Sequence, residues 1–138
     1  MEHVFPVTVY FSDTDCGGVV YHPHYLDFAE HARSEMVNEY FSLNDLLKEK
    51  FSFVVRKLEV SYDHPGKLGD HLTVRTTVFS MKRFSMTVHQ RIMREELLLA
   101  DLIVRLACID PDTGKIQSIP SAVQESLSGY MEKSSPNE

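Results

Sequence analysis

The sequence predicts an α+β fold, with one long helix lying on one face of an antiparallel sheet. Three observations lead to this prediction. Apolar residues alternate near the N-terminus, recur at spacings of three and four over one long segment, and then alternate again through four consecutive runs. Alternation is typical of half-buried strands, and spacings of three and four are typical of an amphipathic helix. Strands and a helix segregated in this way indicate an α+β domain rather than repeated β-α-β units.

The first half of the chain supplies one strand and the long helix. Residues 4–11 alternate and predict the opening strand. Pro23 suits the first turn of a helix because its missing N–H costs nothing there. A single apolar stripe follows at Tyr25, Phe28, Ala29, Ala32, Met36 and Tyr40. We therefore predict a helix over 23–40, followed by a short helical piece at 46–50.

The second half supplies the rest of the sheet. Strands are predicted at 53–62, 71–81, 84–93 and 97–109, with a short helix beginning at Pro120. The last strand is expected to bury one face, formed by Leu98, Ala100, Leu102, Val104, Leu106 and Cys108. We take 1–132 as one domain and 133–138 as a polar C-terminal tail. Because one helix cannot cover five strands, we expect edges and apolar surface to be used in a homo-oligomer.

Composition excludes several classes of function. Apolar residues make up 43% and charged residues 25%, as in ordinary globular proteins. Fourteen basic against twenty acidic residues give 14 − 20 = −6, a balance that disfavours nucleic acid as a partner. No run approaches the roughly 18 apolar residues of a membrane span, and the start lacks a signal peptide pattern. The two cysteines show no metal-binding spacing, so we expect reduced thiols in the cytoplasm.

The segment SDTDCGGVVYHPHY, residues 12–25, concentrates unlike chemistry between the first strand and the helix. One hypothesis is purely structural: glycines make a turn and aspartates cap it. A second is metal binding, although the spacing of the four possible ligands fits neither the EF-hand nor the HExxH template: Asp13, Asp15, His22 and His24. A third is a Cys16 thiolate nucleophile. The fourth combines a carboxylate on the turn with the free N–H groups of the helix start, an arrangement suited to attack on a carbonyl.

The fourth hypothesis favours a thioester as substrate. Free N–H groups at the helix start would stabilise oxyanion charge by about 3 kcal/mol per donor. The sequence offers no obvious strong general acid to protonate a leaving group. A thiol needs none, because its pKa of about 8.5 makes the thiolate a good leaving group.

The same residues carry a resemblance to a known family. The run VYFSDTDCGGVVYHPHYLDFAEHARSE resembles the signature of the hotdog-fold acyl-CoA thioesterases of the 4-hydroxybenzoyl-CoA thioesterase superfamily, most closely the Tol-Pal-associated, YbgC-type branch. The resemblance continues through HLTVRTTV, SMTVHQRIMR and ACIDPDTGKIQSIP. It implies a single hotdog domain, in which a five-stranded antiparallel sheet wraps around one long central helix. It also implies hydrolysis of acyl-CoA without a metal or an organic cofactor, commonly in dimers or tetramers.

The resemblance also implies roles for individual residues. Asp15 matches the catalytic carboxylate, as nucleophile or general base, and Asp13 is left as a structural turn residue. His22 matches the position at the helix start whose backbone N–H faces the thioester carbonyl. Contacts with the substrate are expected for four further residues: Gly17, Gly18, Val19 and Tyr25. Phe11 departs from the pattern, which often has tyrosine there.

Coenzyme A is strongly anionic, so an acidic chain needs a local basic cluster to bind its phosphates. Lys82 and Arg83, at a predicted strand-to-strand turn, are the best pair. Four other cations are alternatives: Arg56, Lys57, Arg91 and Lys115. Acyl carrier protein in place of coenzyme A stays open. So do a hydratase on the same fold and a non-catalytic binder or adaptor of lipid or envelope metabolism.

Overall fold

The structure, a computed structural model, describes residues 1–132, so the predicted polar tail at 133–138 lies outside the described residues. Five strands form the sheet: β1 His3–Thr8, β2 Ser52–Tyr62, β3 His71–Met81, β4 Ser85–Arg94 and β5 Leu97–Ile109. Three α-helices accompany them: α1 His24–Asn38, α2 Leu43–Lys48 and α3 Ser121–Leu127. No helix among these residues is long and apolar enough to cross a membrane.

The strands form one antiparallel sheet in the order β1-β3-β4-β5-β2. The long, hydrogen-bonded strands β3, β4 and β5 occupy its middle, and β1 and β2 form its edges. Helix α1 packs against one face of the sheet, which is the hotdog arrangement. The α+β prediction, with five antiparallel strands and one long helix, is therefore confirmed.

The core lies between α1 and the middle strands. Phe28, Ala29, Ala32 and Met36 are buried on α1 and meet the inward-facing residues of the sheet. The alternation of β3 and β4 matches the two-residue period, with every second side chain buried. These contacts fix the start of α1 at one end of the sheet, where the dense segment lies.

A buried amide joins α1 to the middle of the sheet. Gln90 of β4 is fully buried and donates to the carbonyl of Ala29 (2.9 Å) and to Oγ1 of Thr76 (3.0 Å). Its own oxygen accepts a hydrogen bond from Arg33 (3.0 Å). Because each polar atom of the amide has a partner, its burial is tolerated.

Two side chains of the predicted core lie elsewhere. The pairing of β4 with β5 shifts register between Ile92 and Met93, and this bulge leaves Leu99 as an extra residue. Leu99 is fully buried and Leu98 is only half-buried, so the prediction for Leu98 is wrong. Tyr40 also leaves the predicted stripe, because α1 ends at Asn38 and the ring remains 46% exposed.

Candidate active site

The dense segment forms a small hairpin between β1 and α1. Thr14 and Val20 form an isolated antiparallel bridge, and the N–H of Asp15 donates to the carbonyl of Val19 (2.9 Å). Gly18 turns the chain with a φ of 79°, a conformation that favours glycine. Gly17 has no such conformation, so only one glycine of the pair is required by the turn. The hairpin places Asp15 at its tip and leads directly into α1.

The two aspartates of the hairpin have different surroundings. Asp13 is engaged through both carboxylate oxygens: it accepts from the N–H of Tyr10 (2.9 Å) and from Nδ1 of His24 (3.1 Å). Asp15 is exposed and accepts only the N–H of Gly17, at Oδ1 (2.8 Å). Within residues 1–132, its second oxygen has no hydrogen-bond partner. Asp13 therefore holds the hairpin against the helix, and Asp15 keeps an oxygen available for chemistry.

The start of α1 offers fewer free donors than we predicted. The N–H groups of His24, Tyr25 and Leu26 already donate to the carbonyls of residues 21, 22 and 23. The N–H of His22 makes no hydrogen bond within the part of the chain that the structure describes. One backbone donor, rather than a set of them, is thus available to an oxyanion here.

The imidazole of His22 lies at a cleft between the hairpin and the loop after β2. Its ring packs edge-on against Tyr62, with ring centroids 5.8 Å apart, and tilted against Tyr21 at 5.2 Å. The cleft has a volume of about 280 Å³ and is lined by Val20, His22, Tyr25, Tyr62, Asp63, His64 and Pro65. Its lining is part aromatic and part polar, as is usual in sites for small molecules.

Tyr25 lines this cleft with its ring, but its hydroxyl is already engaged. The buried Tyr25 oxygen accepts the N–H of Gly66 at 2.8 Å, and burial raises the pKa of the phenol. The contact ties α1 to the loop 63–70, which forms the far wall of the cleft. Tyr25 therefore fixes the shape of the cleft whether or not it touches a substrate.

The structure brings some of the predicted site residues together and separates others. His22 and Tyr25 line the cleft, while Asp15, Gly17, Gly18 and Val19 form the hairpin beside it. Tyr62 and the loop that follows it were missed. The break DHPG directly after a predicted strand was a signal for them, since loops at strand ends commonly form site walls.

Lys82 and Arg83 lie far from the hairpin, at the turn between β3 and β4. Lys82 faces a separate cleft on the outer surface of the sheet. Arg83 instead donates from Nε to Oγ of Ser118 (3.1 Å) and places its guanidinium over the ring of Phe84, 5.1 Å from the centroid. Lys82 and Arg83 therefore do not line one site together, as was predicted for them.

A third cavity is lined mostly by apolar side chains and lies near the other end of α1. It has a volume of about 340 Å³, and its walls come from the second half of α1, from α2 and from the start of β2, including Met36, Leu46, Phe51 and Phe53. Since α1 has 15 residues, it is about 22 Å long. This cavity and the hairpin of Asp15 thus lie towards opposite ends of the same helix.

Comparison with known proteins identifies the family. A model of the thioesterase-like superfamily matches residues 9–127. An acyl-CoA thioester hydrolase YbgC from Escherichia coli O6:H1 is 42% identical over 121 residues, covering 86% of this chain and 90% of that protein. An acyl-CoA thioesterase YbgC from Haemophilus influenzae is 42% identical over 122 residues, covering 87% of this chain and 90% of that protein.

A solved structure agrees. The crystal structure of a probable thioesterase from Bartonella henselae, 33% identical, superposes with a TM-score of 0.82 and covers 87% of this chain and all of that one. The chain therefore belongs to the thioesterase-like superfamily and, within it, to the family of the YbgC acyl-CoA thioesterases.

Proposed function

We propose that this protein hydrolyses acyl-CoA thioesters, with Asp15 as the catalytic carboxylate and the backbone N–H of His22 as the oxyanion donor. The observation that carries the proposal is that, among residues 1–132, one Asp15 oxygen and the His22 N–H have no hydrogen-bond partner and lie in one segment, the hairpin and the turn that leads into α1. The relatives named as acyl-CoA thioesterases support the substrate class. No metal or organic cofactor is needed for this chemistry.

The spacing of the two groups suits a carbonyl held between them. Asp15 lies opposite Val19 in the hairpin, and His22 is three residues further on, so the two backbones are about 10 Å apart. The reach of the aspartate side chain, an attack distance of about 3 Å and a hydrogen bond of about 2.9 Å together span such a gap. The proposal requires both groups to reach one thioester carbonyl.

Two routes lead from this geometry to the same products. In the first, Asp15 takes a proton from water while the hydroxide attacks the carbonyl carbon. In the second, the carboxylate attacks directly, coenzyme A leaves as the thiolate, and water hydrolyses the resulting anhydride. In both, oxyanion charge forms next to the His22 N–H, the C–S bond breaks, and the thiolate then takes a proton. Single turnover in ¹⁸O-labelled water can identify the anhydride route, since only attack of water on the Asp15 carbonyl of the anhydride places ¹⁸O in Asp15.

The hairpin residues have a supporting role in this proposal. Gly17, Gly18 and Val19 form a narrow turn next to Asp15, which would allow the backbone to lie close to the acyl group. The ring of Tyr25 would line the path of the thioester. The imidazole of His22, held by two tyrosine rings, would orient the substrate or a water molecule.

The proposal is tested by following thiol release from short, long and aromatic acyl-CoAs. Asp15→Asn keeps an oxygen for the Gly17 N–H, so the fold should survive while turnover falls about 10²-fold or more. Asp27→Asn is the matched control, because it removes an exposed carboxylate on the first turn of α1 and should keep activity. Turnover that is unchanged in Asp15→Asn contradicts the assignment. His22→Ala should cost less than Asp15→Asn, because the backbone donor remains.

We also propose a cytoplasmic homo-oligomer, dimer or tetramer. Edge strand β2 exposes apolar side chains, with Val55 50% and Tyr62 45% accessible, and the apolar cavity beyond α2 is remote from Asp15 of its own chain. A second subunit would cover such surface and bring another hairpin to the cavity. Light scattering during size exclusion gives the assembly state. Silence across the acyl-CoA panel from folded oligomer would favour acyl carrier protein as carrier, or the non-catalytic binder.

A further inference from the structure

The far wall of the His22 cleft carries a second imidazole, that of His64. His64 lines the cleft together with His22 and is exposed to solvent, so it stands at the mouth of the cleft. It belongs to the loop after β2, and the steps assigned to Asp15 and to the His22 N–H do not use it. An imidazole at this place is therefore available for a further role in the same site.

Three hydrogen bonds to β5 fix the position of His64. The N–H groups of Asp63 and His64 both donate to the carbonyl of Leu99, at 2.8 and 3.3 Å. The His64 ring contacts the carbonyl of Leu98 through Nδ1, at 3.1 Å. Leu99 is the extra residue of the bulge between β4 and β5, and a bulge leaves backbone groups outside the ladder. The bulge therefore supplies acceptors that hold the loop and its imidazole beside the cleft.

The same contacts decide which ring nitrogen of His64 is free. A carbonyl oxygen only accepts hydrogen bonds, so the hydrogen shared with Leu98 belongs to Nδ1. Within residues 1–132, Nε2 has no hydrogen-bond partner and no carboxylate lies at ion-pair distance from the ring. Nε2 is therefore the nitrogen that is open to a substrate, as a donor when the imidazole is charged and as an acceptor when it is neutral.

The proposed site directs the sulfur of the thioester towards His64. In the tetrahedral intermediate the oxyanion accepts from the His22 N–H, and the attacking oxygen comes from Asp15 or from the water that it activates. Both groups lie on the hairpin side of the cleft, so the sulfur and the acyl carbon point away from that side. The sulfur carries the long, anionic remainder of coenzyme A, which has to leave through the open mouth where His64 stands.

We propose that His64 is the proton donor to the leaving thiolate, an inference that rests on the proposed function and supplies its last step. As the C–S bond breaks, its electron pair goes to sulfur, and the proton on Nε2 of His64 passes to the same sulfur to give the free thiol. The neutral ring then recovers a proton from solvent, where the proton lost by the attacking water also ends. Histidine suits this role because its side chain both carries and releases a proton near neutral pH.

The test compares two leaving groups. His64→Gln keeps a polar side chain but has no acidic proton to give, and His71→Gln is the matched control, because His71 is exposed and does not line the cleft. We compare turnover of an acyl-CoA with that of the p-nitrophenyl ester of the same acid, whose leaving group is a stable anion and needs no proton. The ratio of thioester to ester turnover should fall at least about tenfold in His64→Gln. It should stay within about twofold of wild type in His71→Gln.

A ratio that is equal in His64→Gln and His71→Gln would overturn the proposal, including the case in which both substrates slow together, since a misshapen cleft would explain that result. If wild type does not hydrolyse the ester, His64→Ala decides: imidazole added to the assay should raise its acyl-CoA turnover but not that of wild type, and no rise would overturn the proposal. Wild type that hydrolyses no thioester would refute the proposed function and this step with it. Active wild type with an unchanged ratio in His64→Gln would refute only the step.

Discussion

The hydroxyl of Tyr25 offers a sharp test of how the candidate site is built. Tyr25→Phe removes the only acceptor that the Gly66 N–H has within residues 1–132, while the ring, 3% exposed, keeps its packing. Gly66 is itself buried, between Val20, Tyr25 and Leu99. Leaving a buried backbone N–H without an acceptor costs about 1–3 kcal/mol. For a domain of this size, that loss corresponds to a fall in Tm of about 4–10 °C.

The assay is thermal unfolding at fixed protein concentration, together with steady-state kinetics well below Tm. Tyr10→Phe is the matched control, because Tyr10 is 66% exposed and its hydroxyl has no hydrogen bond among the described residues. If Tyr25 acts only through Gly66, Tm falls and kcat/KM stays within about twofold. A Tm equal to that of the control would refute the reasoning. An unchanged Tm with a raised KM would move the hydroxyl to the substrate.

Three further predictions test the hairpin, the chemistry and the loop beside the cleft. Gly18→Ala should lower the free energy of unfolding, measured by urea denaturation, by about 1 kcal/mol, because the φ of Gly18 is positive. Gly17→Ala should change it by less than about 0.5 kcal/mol, since the added methyl meets Asp15 Oδ1 at an ordinary contact distance of 3.4 Å. Equal losses in the two variants would contradict this. Prolonged treatment with chelator should leave thiol release unchanged, and activity lost and restored by zinc would support the metal hypothesis. Burial alone would raise the pKa of Asp70, but hydrogen bonds from the Lys67 N–H and from Arg94 (2.7 Å) hold it below its ordinary value of 3.8. Asp70→Asn should therefore lower the free energy of unfolding by about 1 kcal/mol at pH 7. The difference between wild type and variant is fully present above the ordinary pKa of Asp70 and shrinks as the pH falls through its lowered pKa. A difference that does not depend on pH would contradict the ion pair.

The regular part of the fold could be predicted because it depends on local periodicity. The predicted bounds of β3 and β5 agree with the structure, and those of α1 differ by one residue at its start and two at its end. The bulge at Leu99 could not be predicted, because an extra residue in one strand is defined only by its partner strand. The Gln90 amide was missed for the same reason, since its partners lie on two other elements.

In the candidate site, too, only the residues that are adjacent in the sequence could be predicted together. The hairpin and the helix start are adjacent in sequence, so Asp15 and His22 could be named from a single segment. The far wall of the His22 cleft comes from the end of β2, some forty residues later, and the cleft that Lys82 faces joins three strands. Lys82 was predicted because it stands at a turn, but Arg105 reads as an ordinary outward-facing strand residue. Only strand order places it beside Lys57.

Hydrogen-bond occupancy distinguishes the two aspartates of the hairpin. Both stand in the same Asp-x-Asp segment, so residue type alone gives the two carboxylates the same intrinsic reactivity. The register that pairs Thr14 with Val20 turns Asp13 towards Tyr10 and His24, and both its oxygens then accept hydrogen bonds. A carboxylate held by two donors is a poorer base and nucleophile, because any reaction must first break those bonds. Within residues 1–132, Asp15 has one such bond and one oxygen without a partner, so attack through that oxygen leaves the turn intact. This difference is why the proposed chemistry requires Asp15 and not Asp13.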